Sequence, residues 1–156
     1  MALWTCPECQ RRFGRVGQGH DCAPGLSLEE YFATSPPFEQ PIFEAVRAHL
    51  ETVGSLYIEP VSIGIFFKRR RIVVQLRTMT KWVGVGFVLS RRLESPRLSR
   101  KVEGSGSHWW HVVNVRGPDE VDDELKGWLT EAYLADSDEP RSSSRAATRR
   151  RGATTR

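Results

Sequence analysis

The first 22 residues contain every cysteine of the chain and one of its four histidines. Cys6 and Cys9 form a Cys-x-x-Cys motif, and His20 and Cys22 follow after a gap of ten residues. Three thiolates and one imidazole are a ligand set of closed, tetrahedral zinc sites, which leave no open position for chemistry. The spacing therefore predicts one structural Zn²⁺ bound by these four side chains.

A redox-active cysteine pair and a set of free thiols are the alternatives. Redox pairs normally begin a helix in an alternating strand–helix fold, whereas this pair precedes a stretch containing Gly14, Gly17 and Gly19. Three cysteines also cannot pair completely as disulfides. A segment of about 25 residues is too short to bury a stable core, so bound metal has to supply its folding free energy.

The run from Cys6 to Phe13 resembles the first half of a Cys2His2 zinc finger, including the phenylalanine four residues after the second cysteine. The second half departs from that family, because His20 and Cys22 follow too closely for a finger helix to intervene. The DNA-reading helix of the finger is therefore not expected here. The segment is more similar to a small zinc ribbon or knuckle.

Positive charge is concentrated in two parts of the chain, whose net charge is +4. Residues 68–101 hold eleven basic side chains and one acidic side chain, Glu94, and residues 141–156 hold six arginines and no acid. Clustered cations attract phosphates, although a charged turn is often merely solvated. The predicted nucleic-acid contacts are Lys68, Arg69, Arg70, Arg71, Arg77, Lys81, Arg149, Arg150 and Arg151.

Hydrophobic periodicity predicts an α+β core in which helices pack on one face of a mostly antiparallel, four-stranded sheet. Ser27 and Glu30 have the spacing of a capping box at a first helix. The predicted helices span residues 28–33, 38–52 and 119–135, and the predicted strands span 61–67, 72–77, 82–89 and 109–115.

Three regions follow from these patterns. We expect a zinc module at 1–25, the core domain at 26–137, and a tail at 138–156 whose arginine, serine and threonine content is typical of disorder. The chain shows no apolar leader after Met1 and no apolar stretch long enough to cross a bilayer. We therefore expect a cytoplasmic protein without membrane contact, where thiols stay reduced.

The core resembles a small bacterial family, the domain of unknown function DUF5655. The resemblance rests on the strand end Phe66-Phe67-Lys68, on the arginine- and lysine-bearing strands after it, and on the closing segment through Tyr133. It covers about residues 28–135, and some members carry a similar Cys-x-x-Cys…His-x-Cys arm. The resemblance implies a fold and no established activity.

The candidate catalytic patterns are weak. Glu59 followed by Gln75-Leu-Arg77 is similar to the layout of metal-dependent nucleases, but a second acid is missing and arginine stands where lysine is needed. His108 and His111 are three residues apart on a predicted strand and should face opposite sides. No catalytic residue is predicted, which favours a binding protein over an enzyme.

We therefore expect a zinc-containing, nucleic-acid-associated protein that contacts phosphates of DNA or RNA. A zinc-stapled adaptor that binds a protein partner through its acidic helices is one alternative, and a nuclease-type accessory protein is another. Trp82, close to Gly84 and Gly86, is either a stacking platform for bases or part of the core.

Overall fold

A computed structural model describes residues 3–20, 22, 25–99 and 101–136. The chain begins with a small hairpin, followed by two helices, six strands and a final helix. In chain order the elements are β1 (Trp4–Thr5), β2 (Arg12–Phe13), α1 (Leu28–Ala33), α2 (Glu39–Val53), β3 (Tyr57–Val61), β4 (Gly64–Lys68), β5 (Ile72–Thr78), β6 (Val83–Leu89), β7 (Glu103–Ser105), β8 (His108–Val115) and α3 (Asp123–Ala135).

The large sheet has six strands in the order β3-β4-β5-β6-β8-β7, and every neighbouring pair is antiparallel. The α+β class is confirmed, whereas the predicted strand count of four is too low. The predicted strand 61–67 begins too early: Val61 ends β3, the chain turns before Gly64, and the rest of the predicted strand lies in β4, while β3 itself was not predicted. At this turn Gly64 has φ +156°, and a Cβ there would lie 2.1 Å from the Leu76 carbonyl oxygen. Only glycine accepts that contact and that dihedral together.

The two strands that were not predicted, β3 and β7, are the two edges of the sheet. One edge is β3, and Pro60 is tolerated there because an edge strand can lack one backbone donor. The other edge is β7, three exposed residues without a large hydrophobic side chain, so no alternation marks it in the sequence.

The helices cover one face of the sheet. The cross-strand row Phe67–Val74–Phe87–His111 is buried on that face. Phe43 of α2 lies against Phe67, with ring centroids 5.7 Å apart. The predicted final helix is interrupted at Val121, after a 3-10 turn at Pro118–Glu120.

The opposite face carries the row Phe66–Gln75–Gly86–Val112. The N-terminal segment packs over this face at β3 and β4, where Lys68 contacts Arg12 O and the Phe13 ring. Among the described residues, the same face of β5, β6 and β8 is left open as a cleft. Within the described residues, no helix is long and apolar enough to span a membrane.

Candidate metal centre and open sheet face

The four predicted ligands converge at one point. The ligating atoms of Cys6, Cys9, His20 and Cys22 all lie within 4.8 Å of one another. The Sγ atoms of Cys6 and Cys22 are 3.8 Å apart, and His20 Nε2 is 3.3 Å from Cys9 Sγ and 3.2 Å from Cys22 Sγ. Tetrahedral ligands at a Zn–S distance of about 2.3 Å would be separated by about 3.8 Å. The cluster therefore has the size of a closed four-ligand metal site.

Backbone hydrogen bonds shape the turn that carries the first two thiols. The Cys6 amide donates to Arg11 O and the Gln10 amide donates to Cys6 O, each at 2.9 Å. Gln10 has φ +61°, the left-handed region that closes a tight turn. The pairing of Trp4 with Phe13 holds the two ends of the turn together. Local chain geometry thus places Cys6 and Cys9 side by side.

His20 is oriented by a second hydrogen bond. Its Nδ1 lies 2.6 Å from the carbonyl oxygen of Gln18, and donating to that oxygen leaves Nε2 unprotonated toward the thiols. Such an outer partner fixes the tautomer of metal-binding histidines. The imidazole also packs on Phe13, with ring centroids 4.0 Å apart. This arrangement presents Nε2 as the fourth ligand.

The thiols differ in acidity. The backbone N–H of Cys9 is the main cause that lowers the pKa of Cys6 to about 6. Desolvation raises the pKa of Cys22 to about 12, with a further contribution from its hydrogen bond to Cys6. Thiolates this close together repel one another unless a cation lies between them. A bound metal ion would remove this repulsion.

A buried ion network docks the N-terminal segment onto the sheet. Glu59 of β3 accepts from Arg11 Nε at 2.7 Å and from Lys68 Nζ at 3.0 Å. Lys68 also donates to Arg12 O at 3.2 Å and lies over the Phe13 ring, 4.7 Å from its centroid. Burial lowers the pKa of Lys68 in spite of the Glu59 carboxylate. The segment with the metal ligands is therefore anchored by charges from the core domain.

The basic turn after β4 has acidic neighbours that the surrounding sequence does not reveal. Asp136 at the end of α3 accepts backbone N–H bonds from Arg70 and Arg71, each at 3.0 Å. Arg69 donates to the carbonyl oxygens of Tyr133 and Asp136 at 3.0 and 2.8 Å and lies over the Tyr133 ring. Asp136 at the end of α3 and Glu59 on β3 therefore supply carboxylates to a turn that has no acidic residue beside it in the sequence. Nucleic-acid contacts by these residues remain predictions.

Two other predicted contacts lie elsewhere. Arg77 and Lys81 are exposed, and neither forms an ion pair with any acidic residue in the described part of the chain. Arg149, Arg150 and Arg151 lie outside the described residues.

Arg77 borders a cleft of about 250 Å³ on the open sheet face. Trp82 and Trp110 line the same cleft and are both half-buried. Its polar lining includes the amides of Gln75 and Asn114. Sequence reasoning singled out Trp82 and Arg77 for nucleic-acid binding and placed Gln75 only in the nuclease-like pattern. It assigned no role to Trp110 or Asn114, whose positions depend on strand register. The only indication of these residues in the sequence is the alternation of the strands on either side of Gly84-x-Gly86 in β6.

The catalytic alternatives find no support in the geometry. Glu59 is occupied by two cations, so the nuclease-like layout with Gln75 and Arg77 has no free acid. His111 is buried, accepts from the Leu93 amide at 3.0 Å, and its low exposure lowers its pKa. His108 lies instead beside Arg71, at 3.3 Å. The two histidines do not form one site.

Comparison with known proteins gives a single relationship. Neither a curated protein nor a solved structure matches the chain. The family model Domain of unknown function (DUF5655) matches residues 28–135, which include all three helices and the six-stranded sheet but not the four clustered ligands. Because this match covers more than half of the chain, the protein belongs to the DUF5655 family.

Proposed function

We propose that the Cys3His cluster binds Zn²⁺ as a structural ion. The proposal is supported by the tetrahedral spacing of the ligating atoms and by the hydrogen bond that directs His20 Nε2 toward them. When bound, Zn²⁺ supplies folding free energy to the N-terminal segment and no reaction. Thiolate ligands require a reducing compartment, which supports a cytoplasmic location.

Elemental analysis tests the zinc proposal. We expect about one zinc per chain in the full-length protein and loss of the metal in the double variant Cys6→Ser/Cys9→Ser. The core should keep its circular dichroism signal in this variant, since residues 26–136 have their own buried core. Full retention of zinc in the variant, or a different stoichiometric metal in the wild type, would contradict the proposal.

We further propose that the protein is a non-catalytic nucleic-acid-binding module that contacts phosphates from its open sheet face. The observation that carries this proposal is the position of Arg77 in the lining of the aromatic cleft. Arg77 and Lys81 are both exposed and form no ion pair among the described residues. An exposed cation without a carboxylate partner can bind a phosphate without first breaking an ion pair within the protein. By contrast, the exposed Arg91 and the half-buried Arg97 are already paired with carboxylates.

The binding test compares two double variants with the same charge loss. Arg77→Gln/Lys81→Gln removes the unpaired cations, and Arg47→Gln/Arg91→Gln removes cations that pair with Glu51 and Glu131. We expect the first variant to reduce the logarithmic salt slope of duplex binding by about 1.8 and the second to leave it nearly unchanged.

Binding should be measured by fluorescence anisotropy across a salt series, with Arg149, Arg150 and Arg151 replaced by serine so that the tail does not dominate. If the two variants lower the salt slope equally, the protein attracts nucleic acid only through its net charge, and the proposed contacts at Arg77 and Lys81 are wrong. Absence of binding to both duplex and single strand at low salt would refute it and favour the protein-adaptor alternative.

A further inference from the structure

The cleft on the open sheet face exists because β6 presents two glycines to that side. Gly84 lies between Arg77 and Asn114 in the register, and Gly86 lies between Gln75 and Val112. Missing side chains in the middle strand leave a depression between the side chains of β5 and β8. The two glycines differ in what lies above them, and this difference defines the shape of the cleft.

The Trp110 indole covers Gly86. A Cβ at Gly86 would lie 2.3 Å from Trp110 Cζ2, so the ring rests directly on the backbone. Gly84 is less crowded, because its Cβ would meet Val112 Cγ1 at 3.4 Å, an ordinary contact. The base of the cleft therefore has room for a Cβ at Gly84, whereas the indole of Trp110 fills the space above Gly86.

Trp82 lies in the turn before β6 and borders the cleft as well. The backbone hydrogen bond from the Met79 amide to Trp82 O, at 2.8 Å, fixes this turn. Two half-buried indoles at a cleft offer apolar faces for a planar ligand, and base–aromatic stacking is a main source of affinity for single strands.

The polar lining indicates the chemistry of the ligand. Gln75 and Asn114 each offer an amide donor and an amide acceptor, the groups that pair with base edges. Arg77 adds one cation, and no acidic side chain is among the described residues that line the cleft. A planar, hydrogen-bonding group attached to an anion matches this combination, which is the chemistry of a nucleotide unit.

We propose that this cleft holds one unpaired base of a single-stranded nucleic acid, stacked against Trp82 or Trp110 with its phosphate at Arg77. The inference rests on the proposed nucleic-acid function and names its substrate class. The cleft, at about 250 Å³, is smaller than the roughly 300–1,000 Å³ of pockets for drug-sized ligands, so it accommodates one base and not a base pair. In a duplex the base faces are stacked on one another and are not available.

The test introduces a larger side chain at Gly84, at the base of the cleft. Gly84→Val places a branched side chain in the cleft. Gly84→Ala is the matched control, because a Cβ at this position makes only ordinary van der Waals contacts. Full-length protein is titrated into a labelled twelve-nucleotide single strand, a hairpin duplex and, as competitor, a mononucleotide. We expect the single strand to bind more tightly than the duplex, and Gly84→Val to weaken single-strand binding about tenfold with little effect on the duplex.

Each outcome separates the two proposals. Equal binding of single strand and duplex, both unaffected by Gly84→Val, would overturn the cleft inference and leave the nucleic-acid function intact. No binding of either probe would overturn both. A mononucleotide that competes as well as the single strand at equal concentration would reassign the cleft to free nucleotides. If circular dichroism shows that Gly84→Val is misfolded, Trp82→Leu and Trp110→Leu, each tested as folded protein, decide: at least one of them should lose single-strand binding about tenfold with the duplex unaffected, and no loss in either would overturn the inference.

Discussion

Replacing Glu59 by glutamine tests the buried network that docks the N-terminal segment. The Glu59 side chain is 2% exposed and accepts from Arg11 and Lys68, whose side chains are 13% and 8% exposed. Glutamine keeps the shape but removes the negative charge. Lys68 is then left as a buried cation with neutral acceptors only, and Arg11 loses its carboxylate.

The expected cost follows from that burial. Removing one partner of a buried ion pair typically costs about 3–5 kcal/mol. Arg11 is near the surface and can turn toward water, so we expect the low end, about 3 kcal/mol, for Glu59→Gln. For a domain of this size that corresponds to a fall in melting temperature of roughly 10 °C.

Thermal and urea unfolding of the zinc-loaded protein, followed by circular dichroism, measure this cost. Glu51→Gln is the matched control because Glu51 also pairs with an arginine, Arg47, but both side chains are exposed, so we expect a change below about 0.5 kcal/mol. Adding Lys68→Met to Glu59→Gln should recover part of the loss, since the buried cation is gone. A Glu59→Gln variant as stable as Glu51→Gln would show that the network does not anchor the segment.

Two further predictions concern the sheet and α3. Gly86→Ala should destabilise the protein by about 1–3 kcal/mol because its Cβ collides with the Trp110 indole, whereas Gly84→Ala should be close to neutral in the same unfolding assay. Asp122→Ala should cost about 1 kcal/mol at neutral pH, since Asp122 accepts from the Leu125 amide at the start of α3. The Arg97 guanidinium is the main cause that lowers the pKa of Asp122 below its ordinary value of 3.8, so this stability is present above about pH 3.8 and is lost as the pH falls through the lowered pKa. A difference between wild type and Asp122→Ala that persists unchanged at pH 2 would contradict this assignment.

Local signals predicted the helices and the metal cluster well. Ser27 Oγ accepts from the Glu30 amide at 3.0 Å, and α1 spans the residues that this capping pattern predicts. The four metal ligands lie within seventeen residues, so short-range spacing was sufficient to bring them together. The helix cap and the ligand cluster involve residues that are close in sequence, so a single sequence is enough to recognise them.

Long-range features were not predictable in the same way. β3 was not predicted, because the apolar alternation of Val61, Ile63, Ile65 and Phe67 continues across the turn and makes the end of β3 and most of β4 read as one strand. Glu59 and Asp136 meet the basic turn only through the fold, at sequence separations of nine residues for Lys68 and more than sixty for Arg70. The charge of the turn was therefore visible in the sequence, and its partners were not.

The two sides of the sheet differ in what covers them. Helices α2 and α3 fill one side with the core, and the metal-binding segment covers β3 and β4 on the other side through Glu59 and Lys68. The described segments leave open the part of the sheet where β6 carries Gly84 and where Trp82 and Trp110 line the cleft. The N-terminal segment thus encloses Lys68, which pairs with Glu59, whereas Arg77 beside the cleft is exposed and has no carboxylate partner among the described residues.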